Sequence, residues 1–205
     1  MKSDLKILFG TPVWIFDLTE HDKQLNTMIM LDGQNFSSYV DEQKQFVDPG
    51  DFNVKNYDFL EFEGYGIERL KNYITDAIQK IGEERGWPKT THILKTIQTY
   101  VNPLESDSPH HHPGSDLVGI YYVQTPENSG DLLLYETRGS VNYMWQDPNI
   151  SPDPQNRQGR ISYRFKPSAG KLVMFPNYLF HSVETNLSND TRIAIVIDVR
   201  LSPES

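Results

Sequence analysis

The segment Ile193-Ala194-Ile195-Val196-Ile197, within the run Thr191–Val199, is apolar at every position. Successive side chains of a strand point to opposite sides, so both faces of this strand need a cover. It closes a series of segments of similar character that begins after Pro88. Ile93–Val101, Leu117–Gln124, Asp131–Tyr135, Arg160–Phe165 and Lys171–Phe175 are likewise rich in β-branched and aromatic residues, with Gly, Pro, Asn and Ser between them. Two further strands, Leu5–Phe9 and Val13–Leu18, are expected on either side of Gly10-Thr11-Pro12.

Helical periodicity occurs only ahead of Pro88. Ile67, Leu70, Ile74, Ala77, Ile78 and Ile81 recur at helical spacing within Ile67–Arg85, Gly86 sits where a left-handed cap belongs, and Pro88 prevents continuation. A shorter helix is expected from a capping box of Thr19 with Asp22, through Leu25, Met28 and Ile29, to a stop at Gly33. Residues 34–58 are polar without a period and read as an irregular excursion. Together these segments predict a mainly β fold with flanking helices packed outside a sandwich or barrel. A length of 205 residues suits one domain, 1–205, burying roughly 70% of its unfolded surface. The connection Gly139–Gly159 carries Pro148, Pro152 and Pro154 with Tyr143, Met144 and Trp145, which favours a functional cover.

Composition removes several kinds of chemistry. The absence of cysteine excludes disulfides, thiolate zinc sites, iron–sulfur clusters and cysteine nucleophiles. A net charge of −9 argues against nonspecific binding to nucleic acid or an anionic membrane. No apolar run approaches the roughly 20 residues of a spanning helix, and no signal core is visible, so a cytoplasmic protein is expected. Gly64-Tyr65-Gly66 lacks the third glycine of a dinucleotide fingerprint, and neither a phosphate loop nor a Gly-x-Ser-x-Gly elbow occurs.

Histidine is where chemistry concentrates. Three of the six histidines stand together in Pro109-His110-His111-His112-Pro113. Alternate residues of an extended chain point the same way, about 6.6 Å apart, so His110 and His112 can share a metal while His111 faces away. His181, after Phe175-Pro176-Asn177, is the candidate third ligand. Imidazole suits iron, zinc, copper and nickel, so the set does not select the metal. The alternative is a histidine cluster decorating a loop. Arg192, at the mouth of the apolar strand, needs a partner. Either an internal salt bridge or the carboxylate of a bound ligand would serve.

The order His110-x-His112, Gly119-Ile120-Tyr121-Tyr122-Val123, Gly130-Asp131-Leu132-Leu133-Leu134-Tyr135, Gly170-Lys171-Leu172-Val173-Met174-Phe175-Pro176, His181 and Arg192 resembles the Fe(II)/2-oxoglutarate-dependent oxygenases. It is most similar to a branch of uncharacterised oxygenases with a His-x-His-Pro-x-Ser element, here His110 to Ser115. The opening Leu8-Phe9-Gly10-Thr11-Pro12-Val13-Trp14 is also similar, so the likeness covers nearly the whole chain. It implies a jelly-roll, cupin-like double-stranded β-helix with the metal at its mouth. It also implies Fe(II), 2-oxoglutarate as co-substrate and O2. His110, His112 and His181 would hold the iron, Arg192 would grip the far carboxylate, and Tyr100 and Tyr122 would stand by the co-substrate. The reaction implied is oxidative decarboxylation to succinate coupled to hydroxylase-type oxidation of an unidentified small-molecule, peptide or nucleotide substrate. The Tyr143–Trp145 segment would close over the site and exclude water.

Two positions depart from the family pattern. The usual triad is His-x-Asp/Glu with a distal histidine, whereas His112 occupies the acidic position, leaving the site one negative charge short. Either three histidines suffice, or Asp116 or Glu136 adds an oxygen, with an ion pair to Arg138 the ordinary role for Glu136. The second departure is Ala194, where many relatives carry a serine two residues after the arginine. Two other readings follow from the same residues. One is a cupin-like metalloenzyme without 2-oxoglutarate, in which Asp116 is a ligand and Arg192 structural. The other is a jelly-roll binding module without catalysis.

Overall fold

The computed structural model describes residues 2–8, 10–19, 22–45, 58–135 and 162–204. The connection 139–159, with Tyr143–Trp145 and Glu136, lies outside these residues. The strands are β1 (Lys2–Leu8), β2 (Thr11–Asp17), β3 (Thr90–Val101), β4 (Asp107–His110), β5 (Leu117–Gln124), β6 (Leu132–Tyr135), β7 (Ser162–Phe165), β8 (Lys171–Pro176), β9 (His181–Val183) and β10 (Arg192–Pro203). The helices are α1 (Leu25–Lys44) and α2 (Tyr65–Arg85), with a 3-10 turn at Phe59–Glu61. All strand pairings are antiparallel. They build a larger sheet in the order β1-β2-β8-β5-β10-β3 and a smaller one in the order β4-β9-β6-β7.

Alternation along the strands divides the apolar residues between two cores. Ile193, Ile195, Ile197 and Val199 of β10, Leu117, Tyr121 and Val123 of β5, and Leu172 and Met174 of β8 pack against the helices. Ala194, Val118, Ile120, Tyr122, Val173 and Phe175 face the other way, onto Leu132, Leu134 and Phe165 of the smaller sheet. This is the two-sided cover that the apolar run 193–197 demanded.

The predicted α2 matches the structure. Ile67, Leu70, Ile74, Ala77, Ile78 and Ile81 are buried, and Gly86 caps the helix in the left-handed conformation at φ 64°. The first helix departs from expectation. It begins at Leu25, passes through Gly33 and runs to Lys44. Thr19 bonds to Asp17 rather than capping, while Asp22 accepts from the Gln24 amide and pairs with Arg69 at 2.8 Å. A glycine inside a helix costs only about 1 kcal/mol. Burial of Val40 and packing of Phe36 against the helix-side core offset it. The short strands β4 and β9 carry no periodic signal of their own.

The α1–α2 approach is set by Gly66 and Asp32. Asp32 Oδ2 accepts from the Gly66 and Ile67 amides at 2.7 and 3.0 Å, satisfying the start of α2 from inside the protein. A Cβ on Gly66 would lie 2.6 Å from the Ile29 backbone nitrogen, whereas one on Gly82 would meet only Trp87, at 3.7 Å. The two alanine replacements therefore have opposite signs in the same helix. Gly66→Ala is expected to destabilise by about 1–3 kcal/mol. Gly82→Ala is expected to stabilise by about 0.5–1 kcal/mol. Urea unfolding midpoints of the two variants check both.

Candidate metal centre

The two sheets bring the separated histidines together. His110 ends β4 and stands opposite His181, the first residue of β9, in the antiparallel register. Their ring centroids are 4.4 Å apart. His112 lies in the turn beyond β4, its amide donating to the Asn177 carbonyl. Its ring lies 5.2 Å from that of His110 and 5.1 Å from that of His181. One ring nitrogen from each of His110, His112 and His181 falls within 4.8 Å of the others, a spacing that suits one metal ion. His111 points away, exposed, with its ring over Phe180.

The hydrogen bonds assign which nitrogens are free. His110 Nδ1 lies 2.7 Å from the Ser108 carbonyl, His181 Nδ1 lies 3.0 Å from the Leu179 carbonyl, and His112 Nδ1 lies 2.7 Å from Asp198 Oδ1. A carbonyl or a carboxylate can only accept, so each Nδ1 carries the proton and donates it. In the neutral rings every Nε2 then keeps its lone pair for a ligand. His112 Nε2 is buried with no hydrogen-bond partner. An orphaned acceptor of this kind facing two other imidazoles fits a metal ion. Burial drives His181 down to about pKa 4, the Leu179 carbonyl opposing it and the neighbouring histidines reinforcing it. It is therefore neutral at pH 7.

Arg192 opens β10 and is 3% exposed. Its Nη1 donates to the Gly130 carbonyl at 3.1 Å, its Nε has no partner, and its guanidinium carbon lies 6.0 Å from the centre of the Tyr122 ring. No ion pair joins it to a carboxylate among the described residues. Burial lowers its pKa, against the pull of Tyr122, Asp107 and Asp131. Tyr122, fully buried beneath it, has its hydroxyl pKa raised by desolvation and stays protonated. Ala194, two residues along the same face, is buried in the same core as Tyr122.

Other expected residues fall elsewhere. Asp116 is exposed and uses Oδ2 to accept from the Leu201 amide at 2.8 Å, so it does not join the three rings. Tyr100 pairs in register with Ile193, on the helix-side face of the larger sheet and 46% exposed. Strand alternation thus turns it away from Arg192, which pairs with Val101. Glu136 lies outside the described residues. Asp198 was not anticipated as a site residue. Its only signal was a charge in the otherwise apolar stretch Ile193–Val199.

Residues 98–198 match the family model described as "Putative 2OG-Fe(II) oxygenase". The matched stretch runs from β3 through β10 and includes all three rings, Arg192 and Asp198. Just under half of the chain is thus similar to the 2OG-Fe(II) oxygenase family. Members of this family use Fe(II), 2-oxoglutarate and O2. Among solved structures, ThoJ, a non-heme monooxygenase in a nickel complex, is 12% identical with a TM-score of 0.54, covering 88% of this chain and 72% of that one. That likeness carries the jelly-roll fold. A prolyl-4-hydroxylase from Pseudomonas putida is 11% identical with a TM-score of 0.49, covering 88% and 83% of the two chains. A 2OG-Fe(II) oxygenase family oxidoreductase from Burkholderia pseudomallei is 14% identical with a TM-score of 0.47. Here 66% of this chain is matched, spanning 58% of that one. No curated protein matches the chain. No described helix is long and apolar enough to cross a membrane.

Burial of His181 also links stability to pH. Its folded-state pKa lies below the ordinary 6.5, so between about pH 6.5 and 4 the unfolded chain binds the extra proton. The stability associated with neutral His181 is complete above that window and is lost as pH falls through it. Urea unfolding in the presence of a chelator is expected to show wild type losing on the order of 3 kcal/mol more than His181→Gln between pH 7 and pH 4.

Proposed function

We propose that the chain is an Fe(II)- and 2-oxoglutarate-dependent dioxygenase in which His110, His112 and His181 hold the metal and Arg192 anchors the co-substrate. The observation that carries this reading is the set of three imidazoles, each with Nδ1 committed to an acceptor and Nε2 left for a ligand. Three protein ligands leave positions open for co-substrate and oxygen. When bound, the metal supplies the redox chemistry that couples O2 to decarboxylation of 2-oxoglutarate and oxidation of a prime substrate. That substrate is a small molecule, a peptide or a nucleotide.

The protein's own contribution is binding and orientation. Arg192 presents a desolvated guanidinium with an unused donor, which suits the distal carboxylate of a dicarboxylic acid. Tyr122 packs below that guanidinium and stacks on Phe165 at 6.2 Å, holding the anchor in place. Phe175 sets its edge against the His181 ring at 5.0 Å, and Leu134 pairs with His181 across β6 and β9. These apolar walls keep water from competing for the Nε2 lone pairs. Asp116, exposed and bonded to β10, lends no support to the cupin-like alternative.

Anaerobic addition of Fe(II) followed by 2-oxoglutarate tests the reading. A visible metal-to-ligand charge-transfer band and a raised melting temperature are expected. Absence of both in the wild type overturns it. Arg192→Ala is expected to weaken 2-oxoglutarate about 10- to 100-fold, the worth of charged hydrogen bonds, while metal binding measured by calorimetry is retained.

A further inference from the structure

Three imidazole ligands bring no negative charge to a divalent cation, yet the Asp198 carboxylate stands directly behind one of them. Asp198 lies on β10 with the same parity as Arg192 and Ala194, hence on the face toward the smaller sheet. Its backbone is held on both sides, opposite Lys95 of β3 and Val118 of β5. From there Oδ1 takes the Nδ1 proton of His112 in a 2.7 Å hydrogen bond, with the His112 side chain 12% exposed and that of Asp198 31% exposed. The other two rings donate to neutral carbonyls, of Ser108 and Leu179. Only His112 hydrogen-bonds a carboxylate; the Asp107 Oδ1 nearest His110 Nδ1 is 3.9 Å away, beyond hydrogen-bond reach. Among the described residues no carboxylate ligand joins the three rings.

We infer that Asp198 is a positioning residue that supplies the metal centre's negative charge through His112, in place of a directly bound carboxylate. A carboxylate accepting from the distal nitrogen of a ligating imidazole makes the near nitrogen a stronger donor and fixes its orientation. Asp198 therefore does at one remove what an acidic residue at position 112 would do by contact. This rests on the three-histidine reading above.

The charge is separable from the hydrogen bond, and Co(II) titration followed by visible absorption reads the difference. Asp198→Asn keeps an acceptor oxygen and removes the charge. It is expected to weaken Co(II) binding about 10- to 100-fold, while the metal-free melting temperature stays at the wild-type value. Equal affinity in Asp198→Asn and wild type overturns the inference while leaving the metal site standing. Should Asp198→Asn not fold, Asp198→Ser is read in the same way.

A second background isolates the route. His112→Asp places a carboxylate in the ligand position, and there Asp198→Asn is expected to leave Co(II) affinity undiminished. A loss in that background as large as in the native one shows Asp198 acting independently of His112, which also overturns the inference. A wild-type chain that binds no Co(II) or Fe(II) removes the three-histidine reading and this inference with it.

Discussion

Strand β10 is hydrogen-bonded along its length to β3 and from Ile193 to Val199 to β5, and each of its faces lies against a different apolar core. That double confinement leaves the strand no freedom to slip or rotate, since a one-residue shift would exchange the two faces. It also turns the strand into a ruler. Arg192 and Asp198 lie on the same face six residues apart, about 20 Å along an extended chain. Arg192 stands buried at one end, and Asp198 meets the His112 ring at the other. Between them stand only Ala194 and Val196. The positions of both charges follow from the ladder rather than from any contact between them.

At the three-histidine cluster, the protein's own hydrogen bonds set the orientation of each ring. Each imidazole has spent its Nδ1 proton on a nearby acceptor, two of them carbonyls within two residues of the ring along the chain. Such short-range bonds cost little chain entropy, and they select the tautomer that leaves Nε2 bare. Burial does the rest by keeping His181 neutral at physiological pH. The free energy of gathering three like rings is met by folding of the two sheets, because His110 and His181 are cross-strand neighbours in the smaller one.

Much of this was legible in the chain. The α2 stripe, the left-handed Gly86 cap and the core strands β5, β8 and β10 followed from period and punctuation, because each depends on neighbours within a few residues. The His110-x-His112 spacing and the outward turn of His111 were also local. Less legible were α1, where Gly33 looks like a terminus but is outweighed by burial of Val40 and packing of Phe36, and the short strands β4 and β9, whose pairing is their only stabilisation. Tyr100 illustrates the limit. Its distance along the chain from His110 suggested proximity to the site, but the β3–β10 register sets it on the other face of the sheet.

The sequence by itself determined that two faces of a central strand needed cover, that cysteine chemistry was excluded, and that His110, His112, His181 and Arg192 were the candidates for ligand chemistry. Those facts reside in residue type and short-range periodicity. Tertiary structure alone decided which acid meets the His112 ring. Asp116 is four residues from His112 and turns to the surface to bond the Leu201 amide, whereas Asp198, eighty-six residues away, accepts its Nδ1 proton. Nearness in the chain could not choose between them. The register of β10 did, because the sheet fixes the side on which each alternate residue emerges and, with it, the carboxylate that meets the ring.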